Sequence, residues 1–166
     1  MTGTVTAFLG DSRIATGERE AVAAFILARH PGQEGAVRVH DDLSGRVVDL
    51  DYRAAPAARG RGRPSLGVTA REVTLLPRHW EWLASQRGGA SAALRRLVDA
   101  AAARPRSALQ RRDAVYAFMA AGCGDRPGYE EALRALYRGE EDDFAAHVAG
   151  WPEDVRAYIV HLLREE

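Results

Sequence analysis

Lysine is absent from the 166-residue sequence, and cysteine occurs once, as Cys123. One cysteine excludes an intrachain disulfide framework and is typical of proteins that fold in a reducing compartment. Long apolar runs are missing too: none approaches the roughly 20 residues that span a bilayer, and no segment has the basic start and apolar run of a signal peptide. The sequence therefore predicts a cytoplasmic protein without membrane association, in which Cys123 is an ordinary small residue rather than a nucleophile.

Charge is distributed unevenly along the chain although the formal net charge is zero. Residues 1–52 carry five arginines and eight acidic residues, residues 53–112 thirteen arginines and three acidic residues, and residues 113–166 five arginines and twelve acidic residues. The basic middle block creates a local field that attracts phosphates. Because lysine is absent, however, arginine also supplies every ordinary surface cation, so arginine content alone does not define a nucleic-acid-binding protein.

Residues 1–52 have the pattern of a small α+β unit. Two short strand-like runs flank the turn-prone pair Gly10-Asp11, and the next segment has helical spacing and ends at Pro31-Gly32. Two more alternating runs, AVRVH and RVVDLDY, are joined by the turn-like DDLSG. The predicted order is ββαββ.

Two groups of acidic residues in this unit are open to two interpretations. Asp49 and Asp51 lie on one face of the last predicted strand, where carboxylates either hold a metal or face solvent. His40, Asp41 and Asp42 fall where a turn is expected, and aspartate is favoured in turns because it hydrogen-bonds to its own backbone. Since neither group needs a ligand to explain it, we expect no metal site there.

Residues 53–67 are predicted to be a linker, because they are rich in alanine, glycine, proline and arginine and show no periodicity. Within them, RGRP (Arg61 to Pro64) resembles the core of the AT-hook, a short motif that lies in the minor groove of A/T-rich DNA. Glycine lets the backbone approach the groove floor, and the flanking arginines reach into its negative potential. The stretch is either a minor-groove contact or a soluble tether, and the sequence leaves both open.

Residues 68–104 have the pattern of a strand, a helix, a glycine turn and a second helix. REVTLLP is a short β-type run, Pro77 suits the first position of a helix, and a second helix follows Gly88-Gly89 with Leu94 and Leu97 on its apolar stripe. One strand and two helices have too little surface to bury these side chains in a single copy. We therefore expect a homodimer in which strands pair across a two-fold axis.

At these residues the chain resembles the ribbon-helix-helix repressors. The VTLLP strand ends in proline, a tryptophan follows three residues later, and GGAS and ALRRLV supply the turn and the second helix. The resemblance implies an intertwined dimer whose paired strands enter the DNA major groove. It also implies that Gly88, Gly89 and Ser91 lie against phosphate, where free N–H groups and the positive helix end favour an anion.

The predicted strand has two possible registers. If Val73 and Leu75 face the dimer core, Glu72 and Thr74 face the DNA, and a carboxylate there accepts only from a cytosine amino group. In the other register Arg71, Val73 and Leu75 face the DNA. Alternation favours the first register, in which Glu72 opposes the electrostatic attraction to phosphate.

The chain as a whole resembles a bacterial family of unknown function, the domain of unknown function number 2239. Its signatures here are GRP.LG…REVTLLPRHWEWL and GGAS.ALRRLV. This resemblance extends over nearly the full length and implies membership of that family, but it implies no function.

Residues 105–166 are predicted to be an acidic helical region. Several segments have apolar stripes at helical spacing, and Pro152 suits the start of the last helix. His147 and His161 fall on different predicted helices with no cysteine or paired acid at ligand spacing, so no metal is expected. No glycine-rich phosphate loop follows a strand, and no nucleophile sits beside a base in sequence. We therefore expect neither an enzyme nor a cofactor.

Two classes of function remain for this α+β chain with predicted segments 1–52, 53–67, 68–104 and 105–166. The first is a dimeric DNA-binding protein, regulatory in character. Its predicted contacts are Arg59, Arg61, Arg63, Arg71, Thr74, Gly88, Gly89 and Ser91. The second is a protein-interaction or assembly module that uses the strand-helix-helix segment only for dimerisation.

Overall fold

The computed structural model describes residues 3–52 and 71–164. The chain divides into two compact units: Met1–Ala57 with Arg106–Glu166, called the large unit here, and Ala58–Pro105, the small unit. The secondary structure confirms the predicted α+β class. The grouping differs from the four predicted segments, because the N-terminal and C-terminal segments share one unit.

A three-stranded antiparallel sheet forms the N-terminal part of the large unit, with strand order β2-β1-β3. The predicted hairpin turns at Gly10, whose φ of 60° is readily available to glycine. A helix follows the hairpin and ends just before Pro31, as predicted. The elements are β1 (Val5–Leu9), β2 (Ser12–Gly17), α1 (Arg19–Arg29), a 3-10 turn (Glu34–Ala36) and β3 (Val37–Asp41).

The fourth predicted strand, at residues 46–52, is reduced to one isolated bridge between His40 and Val47. The predicted alternation is nevertheless present: Val48, Leu50 and Tyr52 pack on the apolar core of the sheet, while the residues between them are exposed. Alternating burial therefore arises here from side chains that cover the core without a hydrogen-bonded ladder, and the ββαββ order is not found among the described residues.

Four helices form the C-terminal part of the large unit. Helix α4 begins with a capping box, in which Ser107 and Gln110 each accept a hydrogen bond from the other's backbone N–H. Tyr158, Ile159 and Leu162 are buried in the core of this bundle. The helices are α4 (Ala108–Gly122), α5 (Tyr129–Arg138), α6 (Glu141–Val148) and α7 (Glu153–Leu163).

The sheet and the helices of the large unit share a core through β1. Phe8 belongs to the buried helical cluster, and its ring lies 5.5 Å from Phe118 and 5.4 Å from Tyr158, centroid to centroid. The Tyr158 hydroxyl donates to Asp42 Oδ1 at 2.9 Å, and Arg38 Nη1 donates to the Ala121 carbonyl at 2.6 Å. Because Val5 to Phe8 of β1 are covered on both faces, the two ends of the sequence fold together.

The small unit contains two helices in its described part, α2 (Pro77–Ser85) and α3 (Gly89–Ala102). Pro77 occupies the first turn of α2, as predicted. Residues 71–76 form no strand, so the predicted ribbon is not confirmed. A strand needs a partner with which to exchange backbone hydrogen bonds, and the described residues of one chain supply none for this segment.

Candidate nucleic-acid interface

The turn between α2 and α3 is built by two glycines. Gly88 and Gly89 have φ values of 87° and 73°, in the left-handed region that glycine adopts without strain. The Gly89 N–H donates to the Gln86 carbonyl at 2.9 Å, which closes the turn. The predicted residues Gly88, Gly89 and Ser91 are thereby brought together at the start of α3.

The start of α3 has the properties of an anion-binding helix end. No side chain caps it, and its first turn contains no acidic residue. Within the described residues, the N–H groups of Ala90 and Ser91 have no backbone acceptor, and Ser91 is exposed. Free N–H groups and the positive end of the helix dipole attract a negative group to this place.

Arg96 adds a cation to the turn and was not among the residues predicted from sequence. Its Nη1 donates to the Arg87 carbonyl at 3.0 Å, although the two residues lie nine positions apart. A side chain on a helix points towards the helix start, so Arg96 reaches back over the turn that contains Gly88. The spacing of seven residues between Gly89 and Arg96 places both on one helix face and could have identified it.

Arg71 and Thr74 lie in the segment before α2, and both are exposed. In the described part of the chain, neither forms a hydrogen bond or an ion pair with the glycine turn. Arg59, Arg61 and Arg63 lie outside the described residues, so the AT-hook resemblance stays a prediction. The predicted site is therefore assembled in one part only, at the start of α3.

The helices of the small unit expose much of their apolar surface. In a single copy, Leu83 and Ala93 are the buried apolar residues in the described part of this unit. Val73 exposes 54% of its surface, and Val98 exposes 62%. The other large exposed apolar side chains between residues 71 and 105 are Leu76, Trp80, Trp82 and Leu97.

The described residues contain no cluster of three His, Cys, Asp or Glu side chains that could hold a metal ion. Cys123 is buried, and burial raises the pKa of its thiol, which disfavours the reactive thiolate. Asp49 and Asp51 are both exposed.

The fold and the glycine turn define an α+β protein with a separate two-helix unit. The chain belongs to the family described as "Uncharacterized protein conserved in bacteria (DUF2239)", whose model matches residues 4–58 and 53–163. The family predicted from the sequence signatures is thus confirmed. No curated protein and no solved structure matches the chain. No helix in the described ranges is long and apolar enough to cross a membrane.

Proposed function

We propose that the protein is a dimer that binds nucleic acid through the small unit. The observation that supports this most strongly is the exposed apolar surface of α2, α3 and the segment before them, beside a turn that attracts anions. Such a surface is characteristic of an interaction site.

Dimerisation accounts for the apolar surface. Residues 71–76 have the residue pattern of a strand and pair with no other strand in residues 3–52 and 71–164, and an antiparallel pairing with a second copy would supply backbone partners. Val73, which is 54% exposed, would be covered in the same step. The ribbon-helix-helix resemblance is the source of this geometry.

Nucleic acid is the partner that the charge of the small unit favours. Ala58–Pro105 contains nine arginines and three acidic residues, so it is basic although the whole chain is neutral. In a two-fold dimer the glycine turn would occur twice, and each turn offers free N–H groups and Arg96 to a phosphate. Arginines of the segment 53–67 would add phosphate or minor-groove contacts.

Light scattering at micromolar concentration tests the dimer. The full chain should have twice the mass of a monomer, and Val73→Asp should halve it because a charge would enter the paired segment. Val47→Asp is the matched control, since Val47 is 49% exposed in the large unit. A monomeric wild-type chain, or equal loss of mass in both variants, would contradict the pairing.

Fluorescence anisotropy with a labelled DNA duplex tests the turn. Ser91→Asp places a carboxylate in the first turn of α3, where it favours the helix and opposes phosphate, so weaker binding would not reflect unfolding. We expect an affinity about tenfold lower, equivalent to about 1.4 kcal/mol. Ser12→Asp makes the same charge change on an exposed residue of β2. If Ser91→Asp and Ser12→Asp bind DNA with equal affinity, the glycine turn does not contact the nucleic acid.

The second candidate is an assembly module that dimerises but leaves nucleic acid unbound. The exposed Glu72 favours it, since a carboxylate in the paired strands would face the groove. A dimer that shows no salt-dependent binding to DNA would support this alternative.

A further inference from the structure

A cavity of about 510 Å³ lies in the large unit among helices α4 to α7. Its volume falls within the range of roughly 300–1,000 Å³ that is usual for small-molecule sites. Its wall includes the buried side chains of Leu136, Phe144, Val148 and Ile159 and the exposed side chain of Val160. The site is therefore apolar inside and open to solvent.

Arginines stand around this apolar wall in a region that is otherwise acidic. Arg111, Arg112 and Arg156 line the cavity, together with Glu140 and Glu141. Glu140 Oε2 lies 3.5 Å from Arg138 Nη1, and this ion pair partly neutralises the glutamate. Arg164 also lines the cavity. Because two glutamates follow it in the sequence and oppose its charge, the proposal does not depend on it.

Arg112 and Arg156 are the two cations of the cavity wall that favour a ligand with a negative charge. Arg156 Nε donates to the Trp151 carbonyl at 3.0 Å, which fixes the side chain, and Arg112 packs beside Gly139. Neither arginine forms an ion pair with a carboxylate among the described residues. Two cations without carboxylate partners next to an apolar wall complement a ligand with an anionic head and an apolar body.

We propose that this cavity binds a small amphiphilic anion, an aliphatic chain that ends in a carboxylate. The chain packs on Phe144 and Val148, and the carboxylate pairs with Arg112 and Arg156. This site is independent of the small unit and of its proposed binding to nucleic acid.

Isothermal titration calorimetry of the full chain with decanoate tests the site. We expect saturable binding at one site and no comparable binding of decyltrimethylammonium, which has the same tail and the opposite charge. Arg112→Gln should weaken decanoate binding about tenfold, the usual scale for losing one charge-assisted contact. Arg134→Gln removes an exposed arginine of α5 that lies outside this cavity and should leave the affinity unchanged.

A second pair of variants tests the location of the binding site by filling the cavity rather than by removing a charge. Ala145 and Ala146 are both exposed on α6, but only Ala145 lines the cavity. Ala145→Trp should fill the cavity and abolish decanoate binding, whereas Ala146→Trp should bind like the wild type. Because both positions are exposed, both variants should keep the wild-type circular dichroism.

Three results would overturn the proposal: no saturable binding of decanoate, equal binding of the cationic amphiphile, or unchanged binding in Ala145→Trp. Light scattering tests whether a second copy of the chain occupies the cavity instead. If Ala145→Trp lowers the mass of the particle while decanoate fails to bind the wild type, a second copy of the chain occupies the cavity and the small-ligand site is refuted.

Discussion

Replacing Tyr158 by phenylalanine should destabilise the large unit strongly, although only one oxygen atom is removed. Tyr158 is fully buried, and its hydroxyl donates to Asp42 Oδ1 at 2.9 Å. The other carboxyl oxygen of Asp42 is buried and has no hydrogen-bond partner among the described residues. The substitution would leave both oxygens of a buried carboxyl group unpaired, which costs about 1–3 kcal/mol.

Tyr137→Phe is the matched control for this substitution. The Tyr137 hydroxyl donates to Asp113 Oδ1 at 3.0 Å, but the residue is 43% exposed, so water replaces the lost contact. Urea unfolding followed by circular dichroism should show a loss of roughly 2–3 kcal/mol for Tyr158→Phe and less than about 0.5 kcal/mol for the control. Equal losses in the two variants would refute the argument that burial of Asp42 sets the cost.

Three further predictions concern packing and pH. Gly45→Ala should destabilise the fold by several kcal/mol in urea unfolding, because Gly45 has a φ of 66° and a Cβ there would overlap the Ala114 carbonyl, whereas Gly35→Ala, which meets nothing, should be near neutral. Burial lowers the pKa of His40, so the unfolded chain binds a proton at this histidine at a higher pH than the native protein does. The free energy of unfolding should therefore fall as the pH drops below about 6.5, and it should fall less in the His40→Gln variant. Burial and the neighbouring Asp42 raise the pKa of Tyr158, so the native absorbance should show a tyrosine that titrates above the ordinary value of about 10, and stability should decline as the pH rises past 10.

Local elements were predictable where the sequence contains a start or stop signal. The end of α1 before Pro31 and the start of α2 at Pro77 follow from the fixed backbone angle of proline. The glycine turn before α3 follows in the same way from Gly88 and Gly89. These signals act within a few neighbouring residues, so a single sequence is enough to recognise them.

Contacts between distant segments were not predictable in the same way. Val5 to Phe8 are all buried because both faces of β1 are covered, but a run this short is equally typical of a core helix. Nothing in the sequence indicated that Phe8 packs against Phe118 and Tyr158 rather than against its own hairpin. The amphiphile cavity depends on four helices meeting and was missed for the same reason.

The candidate site was predicted in part. The turn residues are adjacent in sequence, so their proximity followed directly, whereas Arg96 required the direction of helical side chains to be taken into account. The strand predicted at residues 71–76 depends on a partner with which to exchange backbone hydrogen bonds, and no such strand forms among the described residues of one chain.

The salt dependence of DNA binding by the wild-type chain tests the central claim most directly. Anisotropy titrations of one labelled duplex between 50 and 200 mM salt, conditions in which binding through phosphate contacts changes steeply, would give log K against log salt. A dimer that places two glycine turns on phosphate should give a slope of roughly −2 or steeper, since each neutralised phosphate contributes about −0.9. A chain that leaves the duplex unbound at the lowest salt, or binds it with no dependence on salt, would contradict the proposed function.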